Sequence, residues 1–431
     1  MKRIITLLVC ALALQSLIIA QTRNQTKGYF EEIAISQSGK MSTDKEDDID
    51  TLIKRAEAND ADAQLALAKK YSEGVDVKQN FADSVKWLQR AAKLKNRDAQ
   101  VNLALAYDAG RGVKQDFKEA RKLYEQAAKQ KVAFAQNNLA CMYQDGKGVK
   151  QNYKAAKKWF EQAAKQNNSN ALVNLGALSA TGLGTTPDAA KALSYFDRAA
   201  KQNNTESFNW LGVMYASGNG VNQDSVKAAE YFMVAANAGH PVAQYNLGVM
   251  HKNGAGVPQD YAKSIEYFSA SAEQGYAPAA FYLGQAYELG VAAEQDLVKA
   301  AQYYEIAAKN GNVDAQYNIA YMYENGIGVS GDFAKAAQWY ETATASGDIG
   351  SSLALAKLYY SGKGVKQDFK KALQYFTKAA DGGIAEAKAN LGRMMLKGEG
   401  VKANPGKAIP LLQEAASLGD ASAAALLENL Q

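Results

Sequence analysis

The feature that most constrains this chain is a period. Starting at Ala63 and stepping by 36 residues, the sequence places Ala99, Ala135, Ala171, Ser207, Ala243, Ala279, Ala315, Ser351, Ala387 and Ala423 at one register. All are small, and ten full periods pass with no insertion or deletion. A unit this short buries its apolar face only against its neighbours, so the copies must stack around one continuous core. The 431 residues therefore read as one array, where length alone would suggest two or three domains.

Each unit has a fixed anatomy. Four residues after the small one comes a branched aliphatic: Leu67, Leu103, Leu139, Leu175, Leu211, Leu247, Leu283, Ile319, Leu355, Leu391. The next residue is always Ala or Gly, as in Ala68, Gly176 and Gly248. Four beyond the aliphatic stands usually Tyr, as in Tyr71, Tyr107, Tyr215 and Tyr359. Spacings of four put these residues on one face of a helix, helix A, and the invariant small residue predicts a neighbour packed close against it. Helix A ends at a glycine in every unit, from Gly74 and Gly110 to Gly398, because glycine takes the left-handed conformation without a clash. A second Gly usually follows two residues later, then usually Val.

Six residues after the first Gly stands Asp or Asn in all ten units, among them Asn80, Asp116, Asp224 and Asn404. These read as N-caps of a second helix, B. Helix B carries Lys-Ala (Lys191-Ala192, Lys299-Ala300), an aromatic pair (Trp159-Phe160, Tyr231-Phe232), then Ala-Ala. From the third unit onward it closes on Asn or Gly, such as Asn167 or Gly239. The ten units span 63–422, with capping half-units at 44–62 and 423–431. Pro410, inside the last helix B, predicts a kink or a shortened helix there.

Upstream, Met1–Ala20 has the form of a signal peptide: Lys2 and Arg3, an apolar run from Ile4, and a small residue before Gln21-Thr22-Arg23. The expectation is export, to the periplasm or the medium, with membrane attachment only if this segment stays uncleaved. Residues 21–43 are polar and aperiodic, a flexible linker. Asn24, Asn167 and Asn203 match glycosylation sequons, relevant only in a eukaryotic secretory pathway. The formal net charge of +5 falls to +3 without the first twenty residues. Basic and acidic residues are interleaved, with no basic stripe, so nucleic acid is not an expected partner. Of the two cysteines, Cys10 lies in the apolar run, which leaves Cys141 alone and no intramolecular disulfide in the processed chain.

The unit A-x-x-x-L-(G/A)-x-x-Y-x-x-G-x-G-V-x-x-D-x-x-K-A-x-x-(W/Y)-(F/Y)-x-x-A-A closely resembles the Sel1-like repeat, a relative of the tetratricopeptide repeat, over residues 45–430. The resemblance implies an all-α, right-handed superhelical solenoid of antiparallel helix pairs with a concave inner surface, and adaptor work between proteins. A bacterial branch pairs cysteines within each repeat and has been labelled β-lactamase-like; those cysteines are missing here, so neither property carries over.

Sites for chemistry are sparse. His240 and His251 are the only histidines, and with one cysteine they make no credible zinc site. Ser42-Thr43-Asp44-Lys45 has serine–lysine spacing but sits at the end of the linker, and the Gly pairs lack the strand and Gly-Lys-Ser/Thr ending of a phosphate loop. Catalytic, cofactor and metal residues are therefore expected to be none, and the partner a protein or extended peptide. Two alternatives stand beside this: a hydrolase of cell-wall or β-lactam substrates, and a purely structural or assembly solenoid.

Three residues after the small one, six units carry Asn: Asn102, Asn138, Asn174, Asn246, Asn318 and Asn390. Alignment with tetratricopeptide repeats puts this position in the concave groove, where an amide ladder could grip a peptide backbone or, equally, bond the neighbouring repeat. Two, three and six residues after the small one, the middle units carry Trp210, Tyr245, Phe281, Tyr282, Tyr317 and Tyr321. Aromatic side chains in an accessible groove are favoured contact anchors. Units five to eight are thus the expected main contact, the alternative being that these rings pack helix on helix.

Overall fold

The computed structural model describes residues 48–430. The signal peptide, the linker, Cys10 and the Ser42–Lys45 spacing lie outside these residues. Among the described residues there are 22 α-helices and no strand. Helix A of the first repeat is Ala61–Glu73 and its helix B is Phe81–Lys93; helix A of the tenth is Ala385–Lys397. On either side of the helix Ser225–Asn237, helices pack on one another in chain order. Ile49–Glu57 precedes the array as a lone helix B, and Ala421–Glu428 follows it as a lone helix A. The helix around Pro410 is not shortened: Pro405–Ser417 has the 13 residues of its counterparts.

The caps form as the residue types dictate. Every B helix opens on its Asp or Asn; Asp116, for example, accepts the amides of Lys118 and Glu119 at 2.9 and 3.1 Å. Each such cap contributes about 1 kcal/mol. Seven A-to-B loops carry a further tie that the sequence pattern alone did not signal. The Gln before the cap, at positions 79, 115, 151, 223, 259, 295 and 367, donates Nε2 to the carbonyl seven residues back, at 2.7–2.9 Å. Those carbonyls sit at the end of helix A, where the helix itself supplies no donor. At the end of helix B, the closing residue has positive φ in every repeat; Asn167 and Asn203 occupy this turn, as do Lys95 and Lys131.

The small residue of helix A is explained by its own repeat's helix B. A Cβ at Gly176 would lie 2.5 Å from the Phe196 ring, and one at Gly284 would lie 2.6 Å from Tyr304. The second residue of each aromatic pair thus fills the core: Phe160, Phe196 and Phe268 are fully buried, and Leu412 takes the slot in the last repeat. The first residue of the pair stacks on helix A's Tyr, as Tyr303 does on Tyr287 at 5.7 Å and Tyr375 on Tyr359 at 5.8 Å. The Lys of Lys-Ala then covers that same Tyr: Lys299 lies 5.2 Å over Tyr287, Lys335 lies 4.9 Å over Tyr323 and Lys371 lies 4.7 Å over Tyr359.

Contacts between repeats use two other devices. The second loop glycine meets the start of the preceding helix B, where a Cβ would come within 2.3 Å of Phe81 O at Gly112 and 2.0 Å of Leu297 O at Gly328. Buried glutamines one residue after the small one cap the preceding helix B: Gln64, Gln136 and Gln316 donate to Ala56, Ala128 and Ala308 carbonyls at 2.9, 3.1 and 3.2 Å. By packing, the described residues divide into two compact units, one ending at Tyr231 and the other beginning at Phe232.

Candidate protein-binding face

The asparagine positions do not form one uniform ladder. Asn102 and Asn390 donate to carbonyls one turn back in their own helices, Asp98 at 3.0 Å and Glu386 at 2.8 Å. Asn174 bonds the neighbouring repeat, donating to Asn137 Oδ1 at 3.2 Å and lying 3.8 Å from Cys141 Sγ. Asn318 hydrogen-bonds the Tyr304 hydroxyl of the preceding helix B. Asn138 Nδ2 is buried without a partner, and Asn246 is half-buried. All six keep part of their surface open.

In the unit ending at Tyr231, Trp210 departs from expectation. It is only 1% exposed and stacks on Phe196 at 5.2 Å, with the rings 8° from parallel. A large flat side chain stacked on a buried ring finds more contact inside than at a surface, so Trp210 is core and not a contact anchor. The same unit holds two half-buried carboxylates, Asp108 and Asp145, and the Cys141 thiol. Burial raises both carboxyls above the usual range, with Lys147 opposing. Burial, reinforced by Asp145, pushes Cys141 up to about 12, so it stays a protonated thiol. His251, in the other unit, is buried, stacked 5.6 Å from Tyr267 and bonded through Nδ1 to Pro258 O at 3.3 Å. Among the described residues no three His, Cys, Asp or Glu side chains gather to hold a metal ion.

In the unit beginning at Phe232, the aromatic positions are shared between core and surface. Tyr245 lies 5.4 Å from both Phe268 and Tyr276, Tyr282 lies 4.2 Å from Phe268, and Phe281 and Tyr317 each lie 5.8 Å from Tyr304 and Tyr340 respectively. These rings therefore pack helix on helix while each keeps an exposed edge. Lys252 covers Tyr282 at 4.4 Å. Tyr321 differs: it is 46% exposed and runs nearly parallel to Tyr317, 6.5 Å away.

Beyond Tyr321 the same face opens into a recess of about 320 Å³, lined by Glu324, Lys357, Tyr360, Glu386, Asn390 and Arg393 among others. Lys357 pairs with Glu386 at 2.5 Å. Tyr360 donates its hydroxyl to Glu399 at 3.0 Å, and Tyr340 donates to Glu324 at 2.7 Å. Burial, then the facing Glu324, raises Tyr340 above the usual phenol range, so it remains a donor.

The Sel1 repeat matches ten consecutive segments: 61–96, 97–132, 133–168, 169–204, 209–240, 241–276, 277–312, 313–348, 351–384 and 385–420. The chain belongs to the Sel1 repeat family. Among solved structures it is similar to a protective antigen of uropathogenic Escherichia coli strains displaying an SLR fold, at 31% identity over 89% of this chain and 90% of that one, with a TM-score of 0.54. It is also similar to a Sel1 repeat protein from Oxalobacter formigenes, at 33% identity over 72% of this chain and 90% of that one, with a TM-score of 0.56. No curated protein matches it. The Sel1 array is thus an all-α solenoid of paired helices, a fold typically used for protein–protein interaction.

Within this Sel1 array, Asn390 alone of the expected contact residues lines the recess. Lys357 and Arg393 were missed, although they occupy the register of Tyr321, 36 and 72 residues on. The signal was present: six residues after the small one, the ninth and tenth repeats carry long cations in place of the aromatic.

Proposed function

We propose that the protein is an exported, non-catalytic interaction module whose A-helix face, in the unit beginning at Phe232, holds a segment of another protein. The observation that carries this reading is the juxtaposition of the exposed Tyr321 ring with a polar recess one repeat further along. An open aromatic gives apolar contact at little entropic cost, and a recess with fixed donors gives register. The signal-peptide form of Met1–Ala20 supports the exported location. A hydrolase reading has no support in the face itself, whose acids are taken up by Lys357 and by the hydroxyls of Tyr340 and Tyr360.

The test is site-specific photo-crosslinking in the native organism, with the photoreactive group placed at Tyr321 or, as a control, at the exposed Lys309 on a B helix. A discrete adduct from position 321 and none from 309 is expected. Adducts of equal yield from both positions, or from 309 alone, move the contact off the A-helix face. Mass spectrometry of the recovered chain checks export independently, with Gln21 expected as its first residue.

A further inference from the structure

Arg393, like Lys363, is a cation of the recess with no ion pair among the described residues, and unlike Lys363 its head group is held in place. Its Nη2 donates to the Asn390 side-chain oxygen at 2.5 Å, and its guanidinium lies 5.4 Å over the Tyr360 ring. Its Nε is buried and makes no hydrogen bond. The acids around it are engaged: Glu386 by Lys357, Glu324 by the Tyr340 hydroxyl, and Glu399 by the Tyr360 hydroxyl with Lys397 at 3.9 Å. A guanidinium held flat against a ring, anchored by a neutral amide on one side, presents its remaining N–H groups in a fixed fork. That fork matches the two oxygens of a carboxylate. Nε is buried out of a ligand's reach, so the terminal N–H groups are the ones that an incoming carboxylate would meet.

We propose that Arg393 seats a carboxylate of the bound segment, with Asn390 and Tyr360 as positioning residues that hold its plane. The inference rests on the reading that this face binds a protein segment, and it adds what that segment must present. The carboxylate can be a chain terminus or an Asp or Glu side chain; the recess chemistry is the same for both. Lys363, also in the lining, lies 5.4 Å over the Phe333 ring and adds long-range attraction for the same charge.

The experiment follows the Arg393 Nε–H resonance of the full mature chain by NMR, identified by its loss in Arg393→Lys. Three probes are titrated: N-acetylglycine for a terminus, N-acetylglutamate α-amide for a side chain, and N-acetylglycinamide as the uncharged control. Saturable movement with a carboxylate probe is expected, at an affinity about ten-fold or more above that for the amide. The tighter of the two acids names the source. Equal response to all three probes, or drift shared by every arginine signal, overturns the proposal. So does the absence of a saturable response to either acid. The wild-type titration stands even if the variant folds poorly. Crosslinking at Tyr321 reads the segment itself, so peptide binding without carboxylate recognition is distinguishable from no binding at all.

Discussion

The second loop glycine gives the sharpest test of how these repeats are joined. Gly328 and Gly326 lie in one loop of the eighth repeat and have nearly the same backbone, with φ of +65° and +67°. A Cβ at Gly328 would fall 2.0 Å from the Leu297 carbonyl oxygen, at the start of the preceding helix B. A Cβ at Gly326 would find its nearest atom at 3.6 Å. Gly326→Ala therefore carries only the left-handed penalty, about 1–2 kcal/mol, less about 0.4–1 kcal/mol gained by stiffening the unfolded chain. Gly328→Ala carries the same net term plus overlap with backbone that cannot rotate away, about 1–3 kcal/mol more. Repeat arrays need not unfold in one step, so the assay is amide hydrogen exchange over 297–309 and 333–345 beside a thermal melt. Gly328→Ala is expected to lose protection in both helices, and Gly326→Ala to lose little in the first. Matching losses in the two variants would refute the argument that repeat-to-repeat contact is what demands glycine there. The seventh repeat already carries a Cβ at this register, where Ala292 stands at φ +71°.

Three further outcomes are expected. Gln136→Leu strips the Ala128 carbonyl of its side-chain donor and the Gln166 amide of its acceptor, and should lower stability by about 1–3 kcal/mol in urea titration; an unchanged midpoint would show that water replaces both. Trp210→Ala empties a core site in the first unit and should lower stability by about 3–5 kcal/mol while leaving the crosslink at Tyr321 intact below the melting temperature. For pH, Asp108 and Asp145 have carboxyls raised by burial, so the folded state binds protons more readily than the unfolded one. Their ionisation opposes folding at neutral pH, and that penalty lifts as pH falls through the raised values towards 3.8. The Asp108→Asn, Asp145→Asn double variant should be more stable than wild type at pH 7, with the advantage shrinking on acidification; an advantage constant with pH would sink this account.

Local signals along the chain determined the fold. The small residue, the aliphatic four later, the terminal glycine and the Asp or Asn cap act within one helix turn or one loop, so their meaning is legible residue by residue. That is why the helix borders repeat every 36 residues as the sequence does. Tertiary structure alone decided which side of the surface each candidate took. Trp210 and Tyr321 are both aromatic and both sit in registers expected to face a partner, yet one is 1% and the other 46% exposed. What separates them is the neighbour, Phe196 stacked over Trp210 and an open face beside Tyr321. The recess is of the same kind: Glu324, Lys357, Tyr360, Asn390 and Arg393 come from three successive repeats, and no spacing within one repeat brings them together. Periodicity states what a residue can do along its own helix, and burial and charge pairing depend on what the stacked copies place opposite it.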